Sequence, residues 1–97
     1  MKILVEKHSK TKTSFYRRVY VTYLIDTGTN TVPSITDATG MPRRTAQDTI
    51  LALKELGVAC EFVGGNKNGL YKINDWGAIS KQWVAANLAD IKRVLGY

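Results

Sequence analysis

Two arginines, Arg43 and Arg44, follow Pro42 directly, and Gln47 comes one helical turn later. A guanidinium can fork onto two acceptors on one edge, as guanine offers with O6 and N7, and a carboxamide can pair in the same two-pronged way with adenine. These three side chains are the candidates for reading base edges. Thr45 beside them and Ser34 upstream carry hydroxyls suited to phosphate, Ser34 at the positively polarised start of a predicted helix. A second group, Asn66, Lys67 and Asn68, sits inside the glycine-rich stretch Gly64 to Gly69, with Lys72 a little beyond, and adds further phosphate donors. Arginine in the first turn of a helix opposes the helix dipole, so two of them there point to an anion outside the chain.

Catalytic chemistry finds little to work with. The single histidine, His8, lies in a basic run, and the single cysteine, Cys60, falls in a strand-like segment with no histidine nearby in sequence. Neither a nucleophile with its base nor a spaced set of zinc ligands can be assembled from these. The Gly64 to Gly69 loop leads into a strand, whereas a phosphate-cradling P-loop must open a helix. The chain therefore reads as a non-enzyme with no cofactor and no metal. One cysteine cannot form an internal disulfide, and the opening residues Met1 to Glu6 lack the apolar length of a leader or membrane span, so the expected location is the cytoplasm.

The elements that must position these groups follow from periodicity. With 97 residues and 44% apolar composition there is material for one core and one domain, and 14 Lys and Arg against 8 Asp and Glu give a net charge of +6 that suits a polyanionic partner. Residues 1–12 read as a flexible basic arm and 13–97 as the domain. A first helix is predicted over Ser14 to Thr27, then a brief strand over Thr29 to Val32 ended by Pro33. Ser34 to Asp37 has the outline of a capping box, opening a short second helix that stops at Gly40. A third helix runs from Pro42 to Leu56, with Ala46, Thr49, Ile50, Leu53 and Leu56 on its inward arc. Val58 to Val63 and Leu70 to Ile73 form a hairpin around the 64–69 tip. Asp75 then caps a long helix reaching Leu95, with Phe15, Tyr23, Phe62, Trp76 and Trp83 all expected to point inward.

Helix, strand, helix, turn, helix, hairpin, helix is the order of a winged helix-turn-helix, a mostly α member of the α+β class in which the third helix enters the major groove and the hairpin tip meets the backbone. The run Ser34-Ile35-Thr36-Asp37-Ala38-Thr39-Gly40-Met41-Pro42-Arg43-Arg44-Thr45-Ala46-Gln47 resembles the helix-turn-helix of bacterial winged-helix regulators. With Leu53-Lys54-Glu55-Leu56-Gly57 and Tyr71-Lys72-Ile73-Asn74-Asp75-Trp76-Gly77, the chain looks like a family of small, largely uncharacterised bacterial winged helix-turn-helix proteins. That resemblance implies binding of double-stranded DNA in transcription regulation, with helix 42–56 in the groove and wing 64–69 on the backbone. A protein-recognition module, offering Leu51 and the hairpin to a partner, is the alternative. Val84, Leu88, Ile91 and Leu95 are spaced as a seam within the C-terminal helix 75–95, and with Tyr16 and Tyr20 they are expected to form a homodimer interface.

Overall fold

The computed structural model describes residues 7–65 and 67–97; its elements run α1 Lys10–Asp26, α2 Val32–Thr39, α3 Arg43–Leu53, β1 Ala59–Val63, β2 Leu70–Asp75, α4 Lys81–Ala86 and α5 Leu88–Leu95. The expected winged helix-turn-helix architecture is met: among the described residues there are five α-helices and one two-stranded antiparallel hairpin. Four local expectations are corrected.

The first helix starts four residues before Ser14. The Ser9 hydroxyl accepts from the Lys12 N–H at 3.1 Å, so Lys10 to Lys12 are helical rather than part of an arm. The stretch is polar and shows no apolar period, but a good cap suffices to extend a helix whose later turns are buried. Residues 1–6 lie outside the described residues.

The expected strand over Thr29 to Val32 does not form, because the capping box sits one turn earlier than the Ser34–Asp37 reading. Thr31 is the cap: its hydroxyl accepts from the Ser34 N–H at 3.2 Å while the Ser34 hydroxyl accepts from the Thr31 N–H at 3.1 Å. Val32 is thereby helical and Pro33 occupies the first turn, where its missing N–H costs nothing. All that remains of a third strand is one backbone hydrogen bond, Tyr71 N–H to the Asn30 carbonyl at 2.8 Å. Gly40, at φ 76°, closes α2 in the left-handed conformation and turns the chain toward α3.

The C-terminal helix is two helices. Asp75 does not cap it; its carboxylate accepts from the Gly77 N–H at 2.6 Å in a local turn. Gly77 has φ 63° and lies against the Gly57 carbonyl so closely that a Cβ there would overlap it. Helix begins only at Lys81, with the Ser80 hydroxyl accepting from the Trp83 N–H at 3.0 Å. Asn87 then breaks the run by donating its side-chain amide to the Trp83 carbonyl at 2.7 Å, ending α4 before α5 starts.

The fourth correction concerns the seam. Val84 and Ile91 are fully buried in the chain's own core, Tyr20 is buried beside them, and Leu88 and Leu95 pack against that core. Helix α5 closes on α1 of the same chain, and Tyr16 meets Trp83 edge-on at 6.3 Å. Tyr20, Val84 and Ile91 are thus spent within the chain's own core, while Tyr16, Leu88 and Leu95 keep part of their surface exposed. The core they join runs through Val19, Val21 and Ile25 of α1, Ile35 of α2, and Ala46 and Leu53 of α3.

Candidate nucleic-acid interface

Helix α3 is held by its inward arc. Ala46, Thr49, Ile50 and Leu53 are buried, with the Thr49 hydroxyl donating to the Thr45 carbonyl at 2.7 Å. At about 100° per residue this burial turns Arg43, Arg44, Gln47, Asp48 and Leu51 outward, and all five are exposed. Arg44 reaches only a loose pairing, 4.0 Å from Asp48, with both side chains largely in solvent. Such a pair is worth little. Arg43 has no ion-pair partner among the described residues.

The hairpin comes up beside this helix. Its register sets Cys60 opposite Ile73, Glu61 opposite Lys72, Phe62 opposite Tyr71 and Val63 opposite Leu70. A groove of about 390 Å³ results, with Arg43 and Gln47 on one wall, Phe62, Lys67 and Tyr71 on the other, and Thr31 to Pro33 along the same groove. Of the residues singled out from sequence, the structure brings Arg43, Gln47 and Lys67 together here. Arg44 projects from the adjoining outer face, and Asn68 shares the exposed tip with Lys67. Asn66 lies outside the described residues.

Three candidates stand apart. The Ser34 hydroxyl is engaged in its capping box and also donates to the Thr31 carbonyl at 2.9 Å, so it is not offered to an anion. Lys72 alternates with Tyr71 along β2, which sends it to the face of the hairpin away from the groove, opposite Glu61. Thr45 lies on the other flank of α3, toward α1.

Phe62 is the residue that sequence reasoning misplaced most. It was expected in the core and is 54% exposed, standing edge-on to Tyr71 at 5.0 Å. Its cross-strand partner Tyr71 packs against the core, and Phe62 stands over that ring with its outer side in solvent. A signal existed in Gly69: a Cβ there would overlap the Phe62 ring, so the glycine makes room for that ring at the wing's neck. Phe15 and Trp83, also expected inside, are 40% and 45% exposed and rim an apolar groove of about 430 Å³ between α1 and α4.

Cys60 is half-buried, and that burial pushes its thiol above its ordinary value, away from the reactive thiolate. Among the described residues no group of three His, Cys, Asp or Glu side chains could hold a metal ion, and no helix is long and apolar enough to cross a membrane.

The arrangement has a counterpart among solved structures. A crystal structure of a DUF2131 family protein from Shewanella amazonensis SB2B is 35% identical, superposes with a TM-score of 0.85, and covers 92% of this chain and 95% of its own. No curated protein matches the chain. The family model described as winged helix-turn helix matches residues 10–95, and with α3 and the hairpin placed as above the chain belongs to that family.

Proposed function

We propose that the protein binds double-stranded DNA as a cytoplasmic transcription regulator without enzymatic activity. The N-terminal half of α3 enters the major groove, where Arg43, Arg44 and Gln47 contact base edges, while Lys67 and Asn68 meet the backbone from the wing. One observation carries this reading: three cationic or amide side chains, Arg43, Gln47 and Lys67, converge on one groove from two elements, with no carboxylate lining it. The acidic residues of this segment, Asp48 in α3 and Glu55 in the 3-10 turn after it, lie farther along. That gradient favours entry by the N-terminal end, with the C-terminal end tilted away from phosphate.

The test is titration of duplex DNA by the wild type and by the Arg43→Ala, Arg44→Ala double variant across a range of salt. Each lost guanidinium contact to a base should cost about 1–3 kcal/mol and relax sequence preference. Equal affinity and equal salt dependence in the two proteins would remove both arginines from the interface.

A second reading, docking of a partner protein, is favoured by one feature. Leu51, 68% exposed, and Phe62 line a common cavity of about 240 Å³ between α3 and the hairpin. Salt separates the two readings. Neutralising several phosphates makes binding weaken steeply as salt rises, whereas an apolar protein contact is nearly insensitive to it.

A further inference from the structure

The flank of α3 opposite the wing carries its own anion-binding chemistry. Thr45 lies about 200° around the helix from Arg43, and there α3 meets α1 across a cavity of about 180 Å³ lined by Ser14, Arg17, Arg18, Thr45, Asp48 and Thr49. Arg17 and Arg18 are half-buried and have no ion-pair partner among the described residues. Among the described residues the hydroxyls of Ser14 and Thr45 have no hydrogen-bond partner either, whereas that of Thr49 is committed to the Thr45 carbonyl. Asp48 is the one carboxylate, and it already faces Arg44. Two guanidinium groups and two uncommitted hydroxyls therefore border one polar notch, with no hydrogen-bond or ion-pair partner for these side chains among the described residues. An oxyanion placed in this notch would meet charge-assisted donors from two helices.

Resting on the DNA reading above, we propose that Ser14, Arg17 and Arg18 of α1, with Thr45 of α3, clamp a backbone phosphate of the duplex on the side of the recognition helix opposite the wing. A helix lying in a major groove about 12 Å wide has a sugar-phosphate strand on each side. The wing, through Lys67, supplies the contact on one side. Helix α1 supplies the other, so that the two phosphate contacts straddle α3 and set how deeply Arg43 and Arg44 reach. The contribution is to affinity and register rather than to base preference, because a phosphate carries no sequence information.

The experiment is fluorescence anisotropy with a labelled duplex of mixed sequence over a range of salt concentrations. It compares the wild type, Arg17→Gln with Arg18→Gln, Arg17→Lys with Arg18→Lys, and Ser14→Asp. Losing this phosphate contact should make the slope of log affinity against log salt shallower by about 0.9, the contribution of one neutralised phosphate on B-form DNA. The lysine pair should keep most of the slope, and relative preference among duplexes should stay that of the wild type. Ser14→Asp keeps both arginine stems in place and should weaken binding at low salt; it serves if the glutamine pair fails to fold in a thermal melt. A steep wild-type slope left unchanged by the glutamine pair, or an affinity unchanged by Ser14→Asp, overturns the clamp while leaving the DNA reading standing. A wild type that shows no salt-dependent duplex binding removes the reading and the clamp together.

Discussion

At the scale of single residues, Asp26 shows how one carboxylate can hold three segments. It sits at the end of α1, accepts from the Trp76 indole N–H at 3.0 Å and pairs with Lys81 at 2.7 Å, so it ties α1 to the turn before α4 and to the first residue of α4. The Lys81 hydrogen bond, aided by Trp76 and working against partial burial, holds its carboxyl below the ordinary value. A carboxyl lowered by folding adds stability that is fully present above its unfolded value and is lost as pH falls through the folded one. The melting temperature of the wild type should therefore drop on acidification below about pH 4, and in Asp26→Asn that drop should be smaller, as thermal melts from about pH 6 to about pH 2 would show. Asp90, lowered by Arg93 on the surface, titrates in both proteins and so cancels in the comparison. This pairing had no sequence signal, since 50 residues separate Asp26 from Trp76.

At the scale of elements, the turn from α1 into α2 is decided by competition between two caps. Ser34 with Asp37 has the outline of a capping box, but Thr31 with Ser34 wins, because starting the helix at Val32 buries both Val32 and Ile35 against the core. The same choice removes the strand expected at Thr29 to Val32. Replacing Thr31 by alanine should destabilise the domain by about 1 kcal/mol, the usual cost of a lost N-cap, and lower the denaturant midpoint without changing the slope of the transition. A Thr31→Ser variant should retain most of the stability, since serine caps equally well. Were alanine and serine to behave alike, the cap would not be what starts α2. Helix α3 was more legible: Pro42, the Ala46, Thr49, Ile50 and Leu53 arc, and Gly57 define it from sequence, although its last turn, Lys54 to Leu56, tightens to 3-10 geometry.

At the scale of the whole molecule, the C-terminal helices act as the lid of the core. Ile91 is fully buried where α5 meets α1. Ile91→Ala should cost about 2–5 kcal/mol in denaturant unfolding while leaving the mass measured by light scattering unchanged. A stable variant that changed its association state would restore the seam to an intermolecular role. Local pattern by itself determined a good deal: the charge balance, the buried arc of α3, the outward placement of Arg43, Arg44 and Gln47, and the hairpin with its glycine-rich tip are all consequences of spacing within one element. What surrounds an element was decided only in three dimensions. An apolar seam on α5 reads the same whether α1 or a second chain covers it. Phe62 has the pattern of a core strand residue but is left exposed while its partner Tyr71 takes the contact with the core. Ser34 could not be known to spend its hydroxyl on Thr31, nor Arg17 and Arg18 to border the far flank of α3, because periodicity reports which face of an element is apolar and is silent on which neighbour that face, or its opposite, will meet.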